Sequence, residues 1–179
     1  MARTFAALLA VAFASTTHAG AFELRVDAAD ARGRIAERHV YDGYGCRGDN
    51  VAPHLHWQGA PAGTRSFAVT VFDPDAPTGH GWWHWFVLDL PASVDGLPEG
   101  GALPSPAHAL RNDFGDQGWG GPCPPPGSRP HRYVFTVYAL DVAKLPVAAN
   151  ASPAAAGKTL DAHVLAKAEV TYTYGRSAP

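Results

Sequence analysis

A chain of 179 residues, 46% hydrophobic and 17% charged, holds enough apolar material for one self-sufficient domain and too little charge for a disordered one. Its formal net charge of -2 supplies no basic field for nucleic acid or an anionic membrane surface. The 19 glycines and 16 prolines suit many turns rather than long helices.

The chain opens on Arg3, an apolar run over residues 5–14 and the small-residue site Thr17-His18-Ala19, the pattern of an export signal cleaved after Ala19. Residues 1–19 are therefore predicted to be a signal peptide and 20–179 one domain, periplasmic or secreted. The run is too short for a stable membrane span.

Beyond the leader, Phe22, Leu24 and Val26 alternate with polar residues, as in a half-buried strand. Cys46 follows in the turn over residues 43–48, and Cys123 is its one counterpart. An even count outside the cytoplasm predicts a Cys46–Cys123 bridge, the alternative being two unpaired thiols. Each cysteine stands alone in its segment, so zinc spacing is absent. Residues 66–72 are apolar on both parities and read as a central strand. Residues 83–90 and 133–140 share that character, and 168–174 form a last strand. Turn clusters over 59–63, 74–81, 98–106 and 115–127 separate them. One helix is predicted over 154–166, with Ser152 as N-cap and Pro153 at the first helical position. The expected architecture is mainly β, a two-sheet antiparallel sandwich of Greek-key type with one late helix.

Two segments carry the chemistry. Asp73-Pro74-Asp75-Ala76-Pro77 leads into Trp82-Trp83-His84-Trp85, and Gly121-Pro122-Cys123-Pro124-Pro125-Pro126-Gly127 leads into His131-Arg132-Tyr133. Proline fixes φ, so each is a stiff turn delivering a histidine to an apolar strand. Strict alternation would place His84 with Phe86, Leu88 and Leu90, and Trp83 with Trp85 and Val87. It places Tyr133 with Phe135 and Val137, opposite Arg132. Two imidazoles and a phenol supply donors for an anion, and Asp73 is expected to orient or help protonate a histidine. The same residues also read as an acid/base dyad or as a satisfied polar network. With the site at a sheet end open to water, the Asp73 carboxylate is expected to outweigh burial and keep the histidines charged.

Other signals are weaker. His80 and His84 have the spacing of helical metal ligands, but Pro77 and Gly79-His80-Gly81 forbid that helix. His54 and His56 could share a strand face and hold a metal, or stand exposed and unliganded. Trp57, Trp83, Trp85 and Trp119 read as core or pocket wall, and neither a Gly-x-Ser-x-Gly elbow nor a Gly-Lys-Ser phosphate loop occurs.

The two segments resemble the phosphatidylethanolamine-binding protein family, also called the Raf kinase inhibitor family. Gly48-Asp49-Asn50-Val51-Ala52-Pro53 with Trp57, Arg111-Asn112-Asp113-Phe114-Gly115 and Tyr138-Ala139-Leu140-Asp141 match as well, in family order. With its leader and two cysteines, the chain is most similar to the bacterial periplasmic branch. The resemblance implies a two-sheet β fold with short helical turns and an anion pocket. Asp73, His84, His131 and Tyr133 match the family's ligand-contacting residues, while Pro77, Trp82, Gly121 and Pro122 match its walls. Eukaryotic members add a C-terminal helix beside the pocket, whereas this sequence runs five residues past Tyr174.

The expected function is thus non-enzymatic binding of a small anion, a phosphorylated head group or an acidic peptide, with inhibition or modulation of a kinase or protease as the family's implied role. The competing expectation is a periplasmic hydrolase using His84 or His131 with Asp73 as acid and base. No metal, cofactor or nucleic-acid partner is expected, nor stable membrane insertion.

Overall fold

The computed structural model describes residues 20–148 and 150–178, so the expected leader lies outside the described residues. In chain order the strands are β1 (Glu23–Asp27), β2 (Asp42–Gly43), β3 (Cys46–Arg47), β4 (His54–Gln58), β5 (Ser66–Asp73), β6 (Trp82–Pro91), β7 (Gly96–Leu97), β8 (His108–Ala109), β9 (His131–Leu140) and β10 (Val164–Tyr174), with helix α1 (Pro153–Asp161) before the last. They form a five-stranded sheet, β10-β9-β5-β6-β8, a three-stranded sheet, β1-β4-β7, and the β2-β3 hairpin. Every pairing between these strands is antiparallel. Mainly β architecture with one late helix is what the sequence predicts.

The apolar run of β5 sits at the centre of the larger sheet because both of its faces are covered. Phe67, Val69 and Val71 join Leu24, Val26, Leu55, Trp57 and Leu97 between the two sheets. Ala68 faces the other way, with Phe86, Leu88 and Leu140, against Ala156 and Leu160 of α1. The helix buries Pro153, Ala156 and Leu160, spaced along one stripe, and Ser152 Oγ accepts from Ala155 N at 3.3 Å as its cap. Burial of the Leu160 side chain contributes about 2 kcal/mol.

The helix is shorter than predicted. It ends at Asp161, and residues 164–166 belong to β10, where Val164 pairs with Leu140. Helix-forming alanines lose here to the backbone ladder that β9 offers. β10 consequently starts four residues earlier than the sequence suggests.

Alternation fails twice in β6. Phe72 pairs with Trp83 and Val71 with Trp85, which inserts His84 as an extra residue opposite β5. A second shift occurs between the partners of Phe67 and Val69, and Asp89 in that stretch has φ 59°. Trp83 therefore packs with Phe86 and Leu88, while Trp85 and Val87 share the inter-sheet core with Leu90. His84 and Leu90 leave the face that strict alternation would give them.

The predicted bridge is present: Cys46 and Cys123 are bonded, with Cα atoms 5.9 Å apart. It ties the β2-β3 hairpin to the second proline turn.

Candidate functional site

Three of the predicted residues, His84, His131 and Tyr133, line one cavity of about 210 Å³, together with Pro77 and Trp82. All three are buried, at 2%, 4% and 0% exposure, which corrects the expectation of a water-open sheet end. The bulge turns His84 towards β9, where its ring meets Tyr133 edge-on at 5.0 Å. Gly120 clasps His84 from both sides: its N–H donates to the His84 carbonyl at 2.9 Å, and its own carbonyl accepts from Nδ1 at 2.6 Å.

Asp73 stands behind the cavity rather than in its wall. Its Oδ2 accepts from His131 Nδ1 at 2.7 Å, and its Oδ1 accepts from the Asp75 N–H at 2.8 Å. Asp73 thus orients His131, as the sequence suggests, and closes its own proline turn. It makes no hydrogen bond to His84, which depends on Gly120 instead. Burial holds the His84 imidazole below the usual histidine range, although the Gly120 carbonyl and the Asp73 carboxylate push the other way. At His84 burial wins over the carboxylate, the reverse of the expectation. Burial, reinforced by Asp73, holds the Tyr133 hydroxyl well above its ordinary range, so it stays protonated.

Asp75 locks the first proline turn to β9. It accepts from the Arg132 backbone N–H at 3.0 Å and from Nε and Nη2 at 2.9 Å each. The Arg132 side chain holds the Asp75 carboxyl well below the usual carboxylate range, more strongly than burial opposes it. A depressed carboxylate stabilises the fold above its unfolded-state value, near pH 3.9, and loses that contribution as pH falls towards the folded value. Asp75→Asn should therefore lose stability less steeply than wild type below about pH 4. Denaturant titrations at several acidic pH values measure this; identical slopes would refute it.

Gly121 and Pro122 do not line the cavity. A Cβ on Gly121 would stand 2.0 Å from the His39 carbonyl oxygen, so this glycine is required by close packing. Its N–H donates to Asn50 Oδ1 at 2.8 Å, and the Pro122 carbonyl accepts from Tyr41 N at 3.2 Å. They anchor the turn, and Cys123, Pro124 and Pro125 face the cavity instead. Asn50, at φ 51°, also donates from Nδ2 to the Trp119 carbonyl at 3.3 Å. It positions the strip that carries Gly120.

Sequence reasoning missed Tyr44, Ala76, Thr78 and Phe114 as wall residues. Phe114 stacks on Tyr41 at 4.0 Å and meets Trp82 edge-on at 5.2 Å. It lies within the quoted Arg111–Gly115 motif, the one signal that could have found it. Tyr44 occupies the hairpin turn at φ 51°, 75% exposed, a position only the disulfide and the hairpin bring to the cavity lip.

Polar atoms mark this cavity out. Trp82 Nε1, His84 Nε2 and Tyr133 Oη are buried without any hydrogen-bond partner among the described residues. Trp57 Nε1 is a fourth such atom, but it lies in the inter-sheet core. A larger hollow of about 660 Å³, beside Asn50, Trp85, His108 and Trp119, contains no orphaned group of this kind. Buried polar groups are ordinarily satisfied, so three at one cavity point to a polar ligand. Elsewhere, His54 Nδ1 bonds Asp27 Oδ2 at 2.9 Å, and no group of three or more metal-ligating side chains occurs among the described residues.

The fold and these motifs have relatives. The profile described as phosphatidylethanolamine-binding protein matches residues 27–175. The UPF0098 protein YbcL of Escherichia coli K12 is 47% identical over 165 residues, covering 89% of this chain and 90% of YbcL. YbhB of the same organism is 48% identical over 143 residues, covering 77% of this chain and 90% of YbhB. The crystal structure of E. coli YbcL, a new member of the mammalian PEBP family, superposes with a TM-score of 0.82 at 48% identity, covering 86% of this chain and 98% of that one. The homologue CT736 of Chlamydia trachomatis gives 0.74 at 30% identity, with 88% and 99% covered. With sequence and overall fold in agreement, the chain belongs to the phosphatidylethanolamine-binding protein family.

Proposed function

We propose that this protein is an exported, non-catalytic binding protein whose cavity takes a small anion of the phosphate or phosphorylated head-group type. One observation carries the reading: the orphaned Trp82 Nε1, His84 Nε2 and Tyr133 Oη around one cavity. The Trp82 and Tyr133 groups donate, and His131, oriented by Asp73, adds a donor from Nε2 in its charged form. Binding rather than hydrolysis is supported by the state of the candidate nucleophiles. Thr78 Oγ1 donates to the Gly81 carbonyl at 2.7 Å, Cys123 is disulfide-bonded, and the Tyr133 hydroxyl is held protonated.

The bridge also supports export, because disulfides persist in oxidising compartments. No helix among the described residues is long and apolar enough to cross a membrane. N-terminal sequencing of protein from the native host tests the export reading; an intact Met1 would contradict it.

Calorimetry with phosphate and phosphoethanolamine, beside a phosphoester and ester turnover panel, tests the site. Loss of a charge-assisted hydrogen bond weakens binding by about 1.5–3 kcal/mol, so His84→Ala or His131→Ala should bind roughly ten- to a hundredfold more weakly. Turnover by wild type that disappears in His84→Ala would establish the hydrolase instead.

A further inference from the structure

The hydrogen-bonding pattern at His84 restricts which anion can enter. A carbonyl oxygen only accepts, so the 2.6 Å contact with Gly120 places a proton on Nδ1. A neutral ring protonated there carries a lone pair at Nε2, the orphaned atom. Burial favours this neutral form. The groups facing the ring are Asp73 on β5, Asp113 in the loop after β8, and His131 and Tyr133 on β9. Neither carboxylate bonds the ring: Asp73 is engaged by His131 and Asp75, and an Asp113 oxygen accepts from the Trp83 N–H at 2.7 Å. Trp82 can only donate, and the protonated Tyr133 hydroxyl is free to donate. Beside His131, the three orphaned atoms of the cavity therefore present two donors and one acceptor.

A fully ionised oxyanion would set an oxygen lone pair against the His84 lone pair. It would also bring a second negative charge close to Asp73 and Asp113. We propose that the site selects an oxyanion that retains one proton, the monoanion of a phosphomonoester, whose P–O–H donates to His84 Nε2 while its bare oxygens accept from Trp82 and Tyr133. The proposal rests on the anion-site reading above and adds the ligand's protonation state to it. A phosphomonoester loses its second proton near pH 6, so at pH 7.5 the bound ligand must gain about one proton from solvent. Sulfate and phosphodiesters cannot supply the P–O–H.

Calorimetry of the whole exported chain with methyl phosphate, dimethyl phosphate and sulfate tests this, in two buffers of different ionisation enthalpy. Methyl phosphate should bind with uptake of about one proton at pH 7.5, and its affinity should fall about tenfold per pH unit above 7. At pH 5.5 sulfate and dimethyl phosphate should each bind at least about tenfold more weakly than methyl phosphate, the cost of one hydrogen bond left unmade. Nitrogen NMR of the methyl phosphate complex should show His84 still neutral, with its proton on Nδ1. Sulfate binding as tightly as methyl phosphate, or a His84 that becomes imidazolium in the complex, overturns the proposal and leaves the anion site standing. Failure of all three anions to bind at any of these pH values removes both.

Discussion

Replacing Cys46 and Cys123 together by serine should lower stability by about 4 kcal/mol and Tm by roughly 10 °C. The bridge closes a loop of 77 residues. In the chain-entropy view its main effect is to restrict the unfolded chain, and that restriction grows with loop length. Local geometry should largely survive the exchange. Arg176 donates from Nη2 to the Gly45 carbonyl at 2.8 Å and from Nη1 to the Pro124 carbonyl at 3.2 Å, so the hairpin and the proline turn stay connected. Chemical denaturation of the double variant measures the difference. A loss below about 1 kcal/mol would show that the unfolded chain is already compact or that the bridge strains the native state. Ligand affinity should change much less than stability, because His84 and Tyr133 are held by β6 and β9 rather than by the bridge.

Asp73→Ala should cost about 3 kcal/mol or more, the scale for losing two hydrogen bonds to one buried carboxylate. Both of its oxygens are used, one by His131 Nδ1 and one by the Asp75 N–H. Removal leaves the His131 donor stranded at a position only 4% exposed. It also opens the turn that holds Asp75 against Arg132, so the two defects share one origin. Asp73→Asn keeps an acceptor and should lose clearly less. Equilibrium unfolding of both variants at neutral pH distinguishes these outcomes. Equal losses would mean that charge, not hydrogen bonding, is what Asp73 supplies.

The long strands were legible because their apolar content leaves no other placement. Residues 66–72 are apolar on both faces, and the structure puts β5 at the centre of the larger sheet. The late helix was legible from Ser152-Pro153, but its end was not, since pairing of Val164 with Leu140 is a tertiary choice. β7 and β8, two residues each, are too short to have a period. The position of His84 was hidden for a related reason. Alternation assumes an unbroken pleat, and a bulge leaves no mark in a run of Trp-Trp-His-Trp.

The candidate site was legible as residue types more than as a place. His84, His131, Tyr133, Pro77 and Trp82 do line one cavity, whereas Asp73, Gly121 and Pro122 serve it from behind. Tyr44 and Phe114 reach the wall from distant loops, which no local pattern encodes. At His84 the electrostatic expectation failed because exposure was inferred from a position at a strand end. The His84 ring is instead enclosed by Tyr133 and Phe114, with centroids at 5.0 and 5.4 Å.

Crystals of the protein grown or soaked with phosphoethanolamine near pH 6 give the most direct test of the anion site. The account predicts one phosphoryl group in the cavity, with oxygens about 3 Å from His84 Nε2, Tyr133 Oη and Trp82 Nε1. An anion bound only elsewhere, or a cavity that fills with water while phosphoethanolamine is saturating, would contradict it.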